Sequence, residues 1–126
     1  MEKSEYNIIM NTNLYHKDLG IPESILSRCP GRLSIAPVYT EHAYKAAGAD
    51  RYGKINLPAK LEIANARIIE IETRNDEIVK IVYRLTYTNT YELCVAIIPG
   101  SWLVKTVWLN CKTDKHFTLD KTKYTW

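Results

Sequence analysis

No two cysteines stand close together in this sequence. Cys29, Cys94 and Cys111 are the full set, odd in number and without a CxxC pair. Neither a structural zinc site nor a disulfide framework is expected from that spacing. Histidine is as sparse: His16, His42 and His116 are scattered and lack metal-ligand spacing. The chain has no P-loop, no GxGxxG, no HExxH and no GxSxG. Those absences argue against the usual nucleotide hydrolases, dinucleotide enzymes, zinc proteases and serine esterases. No metal and no cofactor is expected. No apolar run approaches the ~20 residues that a membrane-spanning helix needs, and no basic-then-apolar leader opens the chain. A cytoplasmic protein with reduced thiols and no membrane attachment is the expectation.

What is present fits one folded domain over residues 1–126. Apolar residues make up 46% and charged residues 25%, ordinary for a globular protein. The net charge of +3 is unevenly placed. Residues 1–104 hold 12 basic and 12 acidic side chains, whereas residues 105–126 hold five lysines against two aspartates. The whole excess lies at that end, which suits an anionic partner such as nucleic acid.

The stretch from Ala66 to Leu109 organises the rest. Four runs rich in Ile, Val, Tyr and Trp are separated by Arg74-Asn75-Asp76, Thr88-Asn89-Thr90 and Pro99-Gly100-Ser101. Such runs and breaks predict strands joined by hairpins. A four-stranded antiparallel meander is expected, with strands near 66–73, 77–87, 91–98 and 102–109. With three-residue loops, Ile71 faces Val79, Ile69 faces Ile81, Tyr83 faces Val95 and Leu85 faces Leu93. That odd-numbered face is the expected core face. The even face carries Glu70 opposite Lys80 and Thr86 opposite Glu92, and opposite charges across strands stabilise weakly, by roughly 0.2–1 kcal/mol. The fourth strand has two possible registers. One places Thr106 on the polar face, the other Lys105.

The segments before the sheet read as helical, over about residues 1–63. Tyr6, Ile9, Met10, Asn13 and Leu14 form one helical stripe, with Ser4 as N-cap. Pro22 opens a second short helix, PESILSRC. Residues 32–38 are expected to be extended. Thr40 caps a third helix, TEHAYKAAGA, which carries His42 in its first turn. Pro58 to Ile63 is expected to form one helical turn. The basic tail spans 110–126, with Phe117 and Leu119 as anchors. Helices followed by a meander predict an α+β domain with the N-terminal helices packed on one face of the sheet.

The even face is where chemistry is sought. Arg84, Thr106 and Trp108 offer a guanidinium, a hydroxyl and a stacking surface, which suit a phosphate and a base. Glu70, Lys80, Thr86, Glu92 and Lys105 are further candidate ligand contacts. A wet sheet face is also polar without any ligand. His42 and His116 are candidate general acid–base groups, because histidine titrates near neutral pH. His16 reads as structural.

A helical N-terminal part with a histidine, followed by strands IVYRLTY, YELCVAII and LVKTVWLN, resembles the barnase–EndoU–colicin–RelE group of small ribonucleases and toxins over roughly residues 38–120. In size and composition the chain also resembles small phage and prophage proteins. The ribonuclease resemblance implies metal-independent RNA cleavage. His42, Arg84, Thr106 and His116 occupy the positions of the histidine base, the strand cation, the late-strand hydroxyl and a second acid. A histidine would take the ribose 2′-hydroxyl proton while Arg84 and Thr106 stabilise the phosphoryl oxygens. The competing expectation is a non-catalytic regulatory or inhibitory module that binds a protein, a nucleic acid or a small nucleotide on the polar face. An apolar edge holding Trp102, Val104 and Trp108 further predicts a homo-oligomer.

Overall fold

The computed structural model describes residues 11–30, 34–113 and 121–125. In chain order these form β1 (Thr12–His16), α1 (Glu23–Leu26), β2 (Ser34–Ile35), β3 (Val38–Tyr39), α2 (Glu41–Gly48), β4 (Leu61–Glu62), β5 (Arg67–Arg74), β6 (Glu77–Thr86), β7 (Tyr91–Ile98) and β8 (Leu103–Cys111). Six strands make one sheet in the order β1-β5-β6-β7-β8-β3, and β2 pairs separately with β4. All neighbours in the large sheet are antiparallel except β3, which runs parallel to β8.

This corrects the expected α+β meander. The four-strand meander is only the middle of a mixed six-stranded sheet, and the N-terminal part does not lie on it as helices. Thr12–His16, placed by periodicity in a helix, is a strand paired from Thr12↔Arg74 to His16↔Glu70. The physical reason is local and tertiary at once. A helix of about a dozen residues is marginal in water, whereas the open edge of β5 offers a row of backbone partners. Ser4, Tyr6, Ile9 and Met10 lie outside the described residues. The helical turn expected at Pro58–Ile63 is also corrected: Leu61–Glu62 pairs with β2, and a single 3-10 turn begins only at Ile63.

Bulges and a tight turn correct the pairing. Arg74 pairs directly with Glu77, so the first hairpin has a two-residue turn. Its residues Asn75 and Asp76 have φ of 50° and 67°, the positive pair that matches strand twist. Register shifts then fall between Ile68 and Glu70 and between Glu72 and Thr73. Ile71 consequently faces Ile81, not Val79, and Ile69 turns to the other face. The second hairpin keeps the pairs Tyr83↔Val95, Leu85↔Leu93 and Thr86↔Glu92. In the third, Ile98 pairs with Leu103, and a shift between Ala96 and Ile97 opposes Lys105 to no residue. The two registers are thereby reconciled: Thr106 faces Ala96, while Lys105 is an exposed bulge residue.

The main core lies on one face, where Ile71, Ile81, Tyr83, Val95, Ile97, Val104 and Val107 meet Ile25, Ile35, Ile55, Leu61 and Ile63. Helix α2 packs there through Ala43 and Ala47, both buried, and alanine lets a helix approach closely. The opposite face was expected to be polar. Its centre is instead a second apolar cluster of Ile69, Val82, Cys94 and Ala96 with Trp108 against it.

The expected edges are occupied too. β1 pairs along β5, and β3 pairs with β8 at Leu103 and Val104; Val104 is fully buried and Trp102 is a turn residue with φ of 57°. Of the three residues behind the homo-oligomer expectation, Trp102 and Val104 thus do not form an open edge, whereas Trp108 lies beyond the stretch of β8 that β3 pairs with. On the outer side of β1, the Thr125 N–H donates to the Leu14 carbonyl at 2.6 Å. Among the described residues, no helix is long and apolar enough to cross a membrane.

Candidate functional site

Of the ten residues singled out from the sequence, the nine that lie among the described residues separate into two places. Arg84 on β6 is 3% exposed. Its Nε donates to Glu92 Oε1 at 2.7 Å, and an Nη donates to the Cys111 carbonyl at 2.8 Å. Arg67 shares the same Glu92 carboxylate. Beside this triad, Lys80 pairs with Glu70 at 3.0 Å and with Glu72 at 3.5 Å, and the Tyr124 hydroxyl donates to Glu70 at 2.7 Å. Trp108 lies against the second apolar cluster rather than standing free. Thr86 is exposed at the end of β6. The charged residues of this face are therefore largely paired with one another around its apolar centre. Its carboxylates face its cations across the strands, as charge pairing in a half-buried sheet favours.

Thr106 is not beside Arg84. Arg84 pairs with Cys94 and Cys94 with Trp108, whereas Thr106 pairs with Ala96. Arg84 and Thr106 stand two strand spacings apart, about 10 Å, and are also offset along the sheet. His116 lies outside the described residues. The four-residue catalytic set is thus not gathered around Arg84.

His42, Lys105 and Thr106 do come together. They border one concavity of about 390 Å³ with Thr40, Ile98 and Leu103. Two local features build it. β3 pairs with β8 only at Leu103 and Val104, so the chain leaves the sheet at Thr40 and starts α2. The Thr40 hydroxyl accepts from the Ala43 N–H at 3.0 Å and donates to the Lys105 carbonyl at 3.0 Å. These two hydrogen bonds from one side chain tie the helix start to the bulge, so that His42 on the first turn and Lys105 on the strand flank the same hollow. Both are exposed, and Ile98 and Leu103 are half-buried beneath them. No lining residue is acidic; the first-turn acid Glu41 pairs with Lys45 at 3.4 Å.

Just before the site, the Tyr39 hydroxyl donates to the Pro58 carbonyl at 2.6 Å. Burial, with a smaller push from Tyr44, raises its pKa to about 12. Two other concavities hold less for a ligand. In one, of about 420 Å³, the cation is Arg28, which already bonds the carbonyl and carboxylate of Asp76. The other, of about 300 Å³, gathers Leu61, Leu85, Tyr87 and Leu93 beside Lys60 and Glu62. Among the described residues, no three His, Cys, Asp or Glu side chains form a metal-binding group.

Thr40, Ile98 and Leu103 do not stand out in the sequence as site residues. Thr40 carries a signal as an N-cap, but its second bond needs the bulge, which no residue pattern announces. Compared with family models, curated proteins and solved structures, the chain matches none.

Proposed function

We propose that this protein is a non-catalytic binding module that takes an anionic partner at the hollow between His42 and Lys105. The observation that carries this reading is the division of the polar residues. Arg84, the cation a phosphoryl-transfer site would need, is bonded to Glu92 and a carbonyl inside the fold. His42, Lys105 and Thr106, by contrast, border an open concavity without a carboxylate. An ammonium, an imidazole and a hydroxyl arranged over an apolar floor favour a ligand bearing negative charge.

Amide chemical-shift mapping tests it, with a uridine octamer RNA and a ten-residue polyglutamate as probes. Saturable shifts at His42, Leu103, Lys105 and Thr106 are expected with at least one of them. Shifts confined to β5 and β6, or no shifts with either probe, would refute the reading.

A second reading keeps RNA cleavage, moved to the same hollow. It is favoured by His42 and Thr106 sharing one concavity, with Lys105 in place of Arg84 as the charge-stabilising group. RNA cleaved in EDTA by the native chain, spared when it carries 2′-O-methyl groups, and no longer cleaved by a His42→Ala variant, would establish it over the binding module.

A further inference from the structure

We infer, resting on the binding-module reading, that the ligand of this hollow is an acidic peptide segment. It inserts one apolar side chain over Ile98 and Leu103 and lays a neighbouring carboxylate against Lys105 and His42. Four observations lead there.

The floor comes first. Ile98 and Leu103 are direct partners at the root of the last hairpin, so their side chains stand together on one face. Both are only half-buried, leaving aliphatic surface that the described residues do not cover. The hollow has room for one side chain or a little more, not for a folded element.

The rim comes second. Thr40 has both hydroxyl functions committed. Lys105 and His42 have no ion pair among the described residues and are exposed. A lysine ammonium, an imidazole and the Thr106 hydroxyl are the polar groups left over, and no acid shares the lining. Charge complementarity therefore calls for a carboxylate or a phosphate at the rim.

The kind of lining decides between those anions. Single-stranded RNA is held by aromatic side chains on which bases stack, and by several cations that follow the backbone. This hollow contains no Phe, Tyr or Trp and only one lysine. Two branched aliphatic side chains below an ammonium and an imidazole match an apolar residue next to an acidic one.

The edge comes fourth. β3 is the last strand of the sheet. It bonds β8 through the Val38 and Thr40 N–H groups, and alternation sends the Tyr39 N–H and carbonyl outward. Val38 is 58% exposed there. An extended peptide has main-chain partners beside the hollow, a common way for a sheet to hold a peptide.

The experiment uses the full chain, 15N-labelled, and four probes. They are an amidated hexapeptide with one leucine between two glutamates, the same peptide with glutamines for the glutamates, the same with alanine for the leucine, and a uridine octamer RNA. The first peptide is expected to move the His42, Leu103, Lys105 and Thr106 amides. Affinity is expected to fall at least tenfold for the glutamine and alanine peptides, and at least tenfold for a Lys105→Gln variant. Lys105 is exposed at a bulge, so that variant keeps the fold, and its own spectrum verifies this. If the RNA moves these amides and the acidic peptide does not, the peptide inference fails while the binding module stands. If the glutamine peptide binds as well as the acidic one, the carboxylate contact is wrong. If no probe moves them, both readings fall together.

Discussion

Arg84 and Glu92 hold each other inside the sheet: the guanidinium Nε donates to the carboxylate at 2.7 Å, with side chains 3% and 11% exposed. Removing one partner of a buried pair leaves the other uncompensated and costs about 3–5 kcal/mol. Here Arg67, whose side chain is 54% exposed, remains on Glu92, so Arg84→Ala should fall at the lower end, about 3 kcal/mol. Urea unfolding should show the midpoint falling with an unchanged slope. Ligand shifts at Lys105 should persist in the folded fraction. A variant that keeps full stability would mean that the guanidinium is not part of the framework.

A second expectation concerns alkaline pH. Burial lifts the Tyr39 pKa from 10.0 to about 12, and burial also raises Tyr83, whose hydroxyl donates to the Pro30 carbonyl at 2.9 Å. The folded state thus retains these protons at a pH where the unfolded chain has lost them. The stabilisation is complete below pH 10 and fades as pH rises from about 10 through 12. Stability measured at steps across that window should decline, and the decline should be shallower in Tyr39→Phe. A Tyr39→Phe profile that overlays the native one would contradict the burial of this hydroxyl.

The central strands were legible because their chemistry is local. Runs such as IVYRLTY and YELCVAII have both the composition and the breaks of hairpin strands, and Thr40 announces the start of α2 by its capping chemistry. What the residues do not announce is the pairing at the two sides of the sheet and the bulges. The stripe Tyr6, Ile9, Met10, Asn13 and Leu14 reads as a helix, yet Thr12–His16 at its end completes an edge of β5. Residues 32–38 read as extended, but nothing in that stretch announces that Val38–Tyr39 pairs in parallel with Leu103 and Val104 of β8. The three bulges matter most for the site. Each adds one unpaired residue, and a single such step reverses the facing of the strand residues beyond it. Alternation alone therefore puts Ile69 in the main core; in the last hairpin the longer turn and the bulge together slide Thr106 two positions along β8, away from Arg84 on the same face. The Lys105 bulge, which makes one side of the hollow, has no signature in the neighbouring residues VKTV.

The clasp on β1 makes a third expectation. The Tyr124 ring meets His16 edge-on at 5.2 Å between centroids, its hydroxyl donates to Glu70, and the Thr125 N–H pairs with Leu14. An edge strand left open exchanges its amides readily and invites other strands. Tyr124→Phe removes one hydrogen bond to a charged acceptor, worth about 1.5–3 kcal/mol when well buried and less at this half-buried position. Faster hydrogen exchange at Asn13 to His16 is expected, with β6 and β7 unaffected. Acceleration spread evenly over the sheet would mean that the bond supports global stability instead of the edge.

Thr40 links stability to the site and gives the sharpest separation of the two. Its hydroxyl serves the helix by accepting from Ala43, and it serves the bulge by donating to the Lys105 carbonyl, 65 residues away. Thr40→Ala loses both bonds. An N-cap replaced by alanine costs about 0.5–2 kcal/mol, and the freed Lys105 carbonyl is exposed enough to find water. Thr40→Asp retains a capping acceptor but cannot donate when ionised, and it places a negative charge beside Lys105. The alanine variant should lower stability by about 1 kcal/mol and loosen the hollow, seen as faster exchange at Ala43 and Thr106. The aspartate variant should recover the helix and its stability, yet bind the acidic peptide more weakly than native, because its carboxylate competes for the same ammonium. If the aspartate variant binds as tightly as the native chain, Lys105 is not the group that receives the ligand's charge.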